Sequence, residues 1–118
     1  MPDRTLVTKE LAALLGTLAH PVRIRIVEEL REDEKDVNSL HDILGISQSG
    51  VSQHLSVLRA RRIVTERREG RHVFYRLVQP ALAKWLVEGL TLLQNTQNIV
   101  RDLSEAIEDV KAMWTSEV

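Results

Sequence analysis

From Ile43 to Leu58 the chain carries no Asp, Glu, Lys or Arg, although charged residues make up 28% of the whole. A helix lying on a domain surface ordinarily sets charged residues on its outer side. This segment must therefore satisfy some other outer surface. Asn38 or Ser39 can cap a short helix that ends near Leu44. Gly45 suits the residue just beyond a helix end, where φ is positive. Ser47 can cap a second helix from Gln48 to about Arg61. At about 100° per residue, Val51, Leu55 and Leu58 share one face of that helix. Ser49, Gln53, Ser56 and Ala60 lie opposite, with Gln48 and Ser52 at the flank. A short helix, a glycine turn and a capped helix that is apolar inside and small or polar outside make a helix-turn-helix. The second helix of such a unit enters the major groove of DNA. Gln48 and Gln53 can pair with base edges, and Ser47, Ser49, Ser52 and Ser56 can approach phosphates or bases closely.

The flanking sequence completes the architecture. Leu11, Leu14, Leu15 and Leu18 recur at helical spacing and predict a first helix over 8–20. Pro21 opens a second, to about Arg31, and Glu32 to Asp36 reads as a surface connection. Ile63–Thr65 and Val73–Leu77 are β-rich, and the charged, glycine-containing stretch Glu66–His72 reads as a hairpin tip between them. Phe74 and Leu77 are assigned to the core. From Pro80 a helical pattern runs to about Trp114, with a break near Gln94 to Asn98 left open. The predicted class is mainly α with a small β-hairpin, in the order α1-α2-α3-α4-β-β-α5. One domain over 1–118 is expected, with the DNA-binding part at 37–78 and dimerisation helices at 8–20 and 80–116.

Charge is partitioned along the chain although its net value is only -1. Residues 28–42 hold seven acids against Arg31 and Lys35. Residues 48–76 hold seven arginines against Glu66 and Glu69. Of those arginines, Arg67, Arg68 and Arg71 fall at the hairpin tip beside His72, where they can reach the DNA backbone or minor groove. In the last helix Leu86, Leu93, Val100, Ile107 and Trp114 are spaced by seven, with Leu82, Leu103 and Val110 on the companion seam. A sustained repeat of seven calls for a partner helix. Together with Leu11, Leu14, Leu15 and Leu18 it predicts a homodimer that sets two reading helices on successive major grooves.

Three motifs resemble the ArsR/SmtB-type winged helix-turn-helix transcriptional regulators. Leu18-Ala19-His20-Pro21-Val22-Arg23-Ile24-Arg25-Ile26 is similar to the family's Leu-Ala-Asp-Pro-Thr-Arg-Leu-Arg-Ile opening. Ile46-Ser47-Gln48-Ser49-Gly50-Val51-Ser52-Gln53-His54-Leu55 resembles its Leu-Ser-Gln-x-x-Val-Ser-x-His-Leu recognition helix. Gly70-Arg71-His72-Val73-Phe74-Tyr75-Arg76-Leu77 resembles its Gly-Arg-x-x-Tyr-x-Leu wing. The resemblance covers roughly 10–80. It implies a homodimeric repressor on an inverted-repeat operator in double-stranded DNA, with effector binding lowering DNA affinity.

The departures shape the rest of the expectation. Metal-sensing members carry Glu-Leu-Cys-Val-Cys-Asp-Leu where this chain has Glu34-Lys35-Asp36-Val37-Asn38-Ser39-Leu40, and the sequence contains no cysteine. Thiolate metal sites, disulfides and thiol redox sensing are thereby excluded. Thr91 to Val118 has no histidine, so the family's second metal site is missing too. No metal and no cofactor is expected, and the effector stays unidentified. His41 beside Asp36 and Asp42 is the one hint of a non-thiolate site. His20 reads as a helix cap, His54 as a packed, hydrogen-bonded side chain, and His72 as a wing residue. No catalytic triad or phosphate loop is present, so no enzyme activity is expected. No apolar run spans a bilayer and Met1–Glu10 lacks a signal-peptide core, which gives a cytoplasmic expectation without membrane partners. The alternatives are a metal-responsive repressor with a His/Asp site and a winged-helix protein–protein adaptor.

Overall fold

The computed structural model describes residues 3–96 and 100–115. In chain order these form α1 (Arg4–Leu18), α2 (Pro21–Glu29), β1 (Lys35–Asp36), α3 (Val37–Leu44) and α4 (Gln48–Ala60). After them come β2 (Val64–Glu69), β3 (His72–Leu77), α5 (Ala81–Gln94) and α6 (Arg101–Thr115). They fall into two compact units that divide after Val78.

The first unit is a winged helix-turn-helix. Its helix boundaries follow from caps. α1 starts earlier than the leucine spacing predicts because Asp3 Oδ1 accepts the Leu6 N–H at 3.0 Å. His20 Nδ1 accepts the Val22 N–H at 3.2 Å, and Pro21 follows as the first helical residue of α2. α3 is capped by Asp36, which takes the Ser39 N–H at 2.8 Å, and not by Asn38 or Ser39. The string Asp36-Val37-Asn38-Ser39 offers three good capping residues, and the extended backbone at Asp36 decides among them. Gly45 has φ 70° just beyond α3, as its position requires. Ser47 Oγ caps α4 through the Gly50 N–H at 3.0 Å.

α4 ends without a glycine. Arg62 takes the left-handed conformation at φ 58°. Ile63 N–H bonds the Leu58 carbonyl at 2.9 Å and Arg62 N–H bonds that of Arg59 at 2.9 Å. This is a Schellman closure, with Leu58 and Ile63 both buried as its apolar pair. It turns the chain directly from the reading helix into β2.

The sheet order is β1-β3-β2, antiparallel throughout. β1 replaces part of the expected surface connection: Lys35 pairs with Tyr75 and Asp36 with Phe74. A strand of two residues shows no alternation, so periodicity could not reveal it. The hairpin strands are longer than predicted and the tip is only Gly70-Arg71, since Glu69 already pairs with His72. Gly70 has φ 61°, the sign a type II′ turn needs at its first central residue. Phe74 is not a core residue. Side chains alternate along a strand, so Phe74 cannot share a face with Leu77 three residues on. Leu77 is buried with Val64, and Phe74 stands half-buried on the other face. The core gathers Ile26, Val27, Leu40, Val51, Leu55, Leu58 and Val64, all essentially without exposed surface.

The helical stretch after Pro80, counted as one element with a break near Gln94 to Asn98 left open, forms two helices. α5 ends at Gln94, Asn95 and Thr96 are non-helical, and α6 resumes at Arg101. Asn and Thr favour caps and turns over helix interiors, which suits a break here. Residues 97–99 and the predicted end at 116 lie outside the described residues. Gln94 joins the two helices: its amide donates to Glu108 at 2.5 Å and its carbonyl accepts from Lys111 at 2.9 Å. The repeat of seven is thus divided, Leu82, Leu86 and Leu93 from Leu103, Ile107, Val110 and Trp114, and forms no single straight seam. Ile107 is buried, whereas Leu93, Val100 and Leu103 are exposed.

Candidate nucleic-acid interface

The two faces of α4 separate as its sequence predicts. Val51, Leu55 and Leu58 are wholly buried, while Ser47, Gln48, Ser49, Ser52, Gln53 and Ser56 are exposed. The exposed N-terminal turns of α4 face the hairpin tip across a cleft of about 310 Å³. Gln48, Ser49 and Ser52 line one wall, Arg71, His72 and Val73 the other, and Asp36, Val37 and Asn38 close the end. Five of the predicted DNA-binding residues therefore converge on one concavity. Gln53 and Ser56 lie further along α4, outside it. Ser47 is occupied as the cap, with Ser49 Oγ 3.3 Å from its hydroxyl. The Gln48 amide donates to Asn38 Oδ1, which orients it while its carbonyl and second N–H stay available.

The arginines divide into two groups. Arg71 carries no ion pair among the described residues, and Arg68 is 75% exposed with Glu66 no nearer than 3.9 Å. Both are free to meet phosphate. Arg67 is engaged by Glu34 and Glu69 and lies over the Phe74 ring, 4.8 Å from its centroid. Its hydrogen bond is the main reason that the Glu34 carboxyl is held below the usual range. Arg59 pairs with Glu66 at 3.2 Å, and His72 Nδ1 stands 3.8 Å from Asp36 Oδ2. The Asp36 carboxyl is held low chiefly by the backbone N–H of Ser39. Glu34 and Asp36 of the acidic stretch thus fold against the basic hairpin, while Arg68 and Arg71 stay exposed near its tip.

His54 connects α4 to α2. Its Nδ1 accepts from Arg23 Nε at 3.2 Å, its ring lies 4.3 Å from that of His20, and Arg23 also donates to the Thr17 carbonyl at 3.1 Å. Burial, then the charges of His20 and Arg23, lower the His54 pKa from its ordinary 6.5. A depressed histidine pKa means that the unfolded chain binds protons more readily than the native one. Stability is fully present above pH 6.5 and is lost as pH falls from there toward the native pKa. Urea unfolding between pH 7.5 and pH 5 (roughly, a window above the carboxylates) is expected to show this decline. His54→Gln, which keeps an acceptor for Arg23, should flatten it. An equally steep decline in His54→Gln would assign the effect elsewhere.

The profile described as bacterial regulatory protein, arsR family, matches residues 20–66. The Xylella fastidiosa biofilm growth-associated repressor is 46% identical over 88 residues, covering 75% of this chain and 76% of that protein. The chain belongs to the arsR family. The HTH-type transcriptional repressor SmtB of Mycobacterium tuberculosis is 47% identical over 77 residues, 65% of this chain. The match spans 57% of that relative's length. The crystal structure of M. tuberculosis Rv0081 superposes with a TM-score of 0.68 at 34% identity, covering 90% of this chain and 99% of that one.

Within the arsR family this chain uses its β1–α3 junction for polar structure. Glu34 holds Arg67, Asp36 caps α3 beside His72, and Asn38 holds Gln48. Asp36 faces His72 and not His41. His41 bonds the Ile46 carbonyl through Nδ1, and its Nε2 lies 4.0 Å from Asp42. Among the described residues no three His, Cys, Asp or Glu side chains converge as a metal site. Sequence reasoning missed Glu34, Asp36 and Asn38 as parts of the site. The adjacency of oppositely charged stretches was the available signal. Among the described residues no helix is long and apolar enough to cross a membrane.

Proposed function

We propose that this chain is a cytoplasmic, sequence-specific DNA-binding repressor that acts as a homodimer on an inverted-repeat operator. The observation that carries the reading is the cleft in which the uncharged N-terminal turns of α4 face Arg71 and His72. α4 would enter the major groove, with Gln48, Gln53 and the serines at base edges and phosphates, and the wing would follow the backbone. Two similar proteins bear repressor names. Apolar surface supports the dimer: Val7, Leu11 and Leu15 make an exposed stripe along α1 at 64%, 50% and 47%, beside half-buried Leu14 and buried Leu18. Trp85, Leu93 and Leu103 are exposed in the second unit. The reading assigns no catalytic residue, metal or cofactor.

Fluorescence anisotropy on an inverted-repeat library at two salt concentrations tests it. Binding should be selective, with log affinity falling by about 0.9 per decade of salt for each phosphate neutralised. Sedimentation should give a dimer. Absence of DNA binding, or binding without a salt slope, would favour a protein–protein adaptor instead.

A further inference from the structure

We infer that Arg67 is a positioning residue of the wing, anchored by Glu34, and not one of its phosphate contacts. The inference rests on the DNA-binding reading above. Guanidinium offers its N–H donors in a fixed planar fork. Arg67 places Nε 3.3 Å from Glu34 Oε2 and the adjacent terminal nitrogen 2.5 Å from Glu34 Oε1. The other terminal nitrogen bonds Glu69 at 2.7 Å. Each nitrogen gives one N–H to a carboxylate, and the plane is seated over Phe74. Each terminal nitrogen keeps a second N–H, but swinging the head group out to a phosphate would break the bidentate pair with Glu34 and the bond to Glu69.

The clamp has a mechanical role because β1 is so short. Its two residues provide few ladder bonds to hold β3. Glu34, immediately before β1, adds a side-chain bridge across the whole sheet to β2. The same edge carries Asp36, which both faces His72 and caps α3. Glu34 and Asp36 together tie the hairpin to the first helix of the helix-turn-helix. That tie sets the separation between Arg71 and the N-terminal turn of α4, which is the width of the cleft.

Electrostatics and positioning predict opposite signs. Arg67 between two carboxylates leaves a net negative cluster. If charge alone mattered, Glu34→Gln would free Arg67 and tighten DNA binding. If Arg67 positions the wing, Glu34→Gln weakens it, by about fivefold for loss of an exposed but multidentate pair. Anisotropy titrations over a salt series, with thermal unfolding and hydrogen exchange of the free protein, decide between them. Expected are similar losses for Glu34→Gln, Arg67→Ala and Arg67→Lys, and no further loss in Glu34→Gln/Arg67→Ala. The salt slope should stay as in the unsubstituted protein, Tm should fall by no more than about 4–8 °C, and the Lys35–Tyr75 pairing should exchange faster in Glu34→Gln. Tighter binding by Glu34→Gln, a slope reduced by about one per removed contact in Arg67→Ala, or rescue by Arg67→Lys would each overturn the proposal. A fall in Tm large enough to explain the lost affinity would overturn it too. If the unsubstituted chain binds no DNA, the functional reading falls, while unchanged exchange in Glu34→Gln would independently remove the clamp.

Discussion

Leu55→Ala is expected to lower the unfolding free energy by about 2–5 kcal/mol. Leu55 has no exposed surface, and its neighbours along the inner face of α4, Val51 and Leu58, have none either. Truncation removes apolar burial and leaves a cavity walled by a helix, which cannot collapse far without moving its own backbone. Small domains are stable by only about 5–15 kcal/mol, so this is a large share of the total. For a unit of this size the midpoint should drop by about 8–40 °C, at roughly 4–8 °C per kcal/mol. Exposed Ser52, one helical turn away, gives the control: Ser52→Ala should stay within about 0.5 kcal/mol. Urea titrations followed by circular dichroism would measure both, with the slope m unchanged if only stability has altered. A loss below about 1 kcal/mol for Leu55→Ala would mean that the inner face of α4 is not packed as described.

Arg71→Ala and Gln53→Ala should separate affinity from selectivity. Arg71 lines the cleft without a carboxylate partner among the described residues, so its loss should weaken all DNA sequences alike and reduce the salt slope by about one per protomer. Gln53 is exposed on α4 beyond the cleft. Its loss should leave the slope unchanged and remove about 1–3 kcal/mol of discrimination at one base pair of each half-site. A dimer doubles both effects. Selected-sequence profiles together with salt series on a good and a poor operator would read them. A flattened profile for Arg71→Ala with a uniform loss for Gln53→Ala would exchange their roles.

What the sequence disclosed, and what it hid, follows from the range of the interactions involved. The caps at Ser47 and His20, the turn at Gly45 and the two faces of α4 depend on neighbours within one or two helical turns, and all were legible. β1 was not, because its partner lies some forty residues away and no local periodicity marks so short a strand. The capture of Arg67 by Glu34 was hidden for the same reason. Counting charges along the chain located a basic hairpin but could not show that an acidic stretch folds across it. Assigning both Phe74 and Leu77 to the core overlooked that residues three apart on a strand point to opposite faces. The break after Gln94 shows the converse limit: a repeat of seven can persist in sequence through residues that do not continue the helix.

β2 has a consequence for the protein when it is away from any partner. It is an edge strand, since β3 pairs it on one side only, and a bare edge invites another chain to add a strand. Glu66, Arg67, Arg68 and Glu69 stand in succession along that edge. A docking strand would have to lay its own side chains against alternating pairs of opposite charge and strip water from them. The opposite edge, β1, is too short to template anything. The exposed hairpin is thereby protected from edge-to-edge aggregation, and concentrated protein should remain free of strand-swapped assemblies.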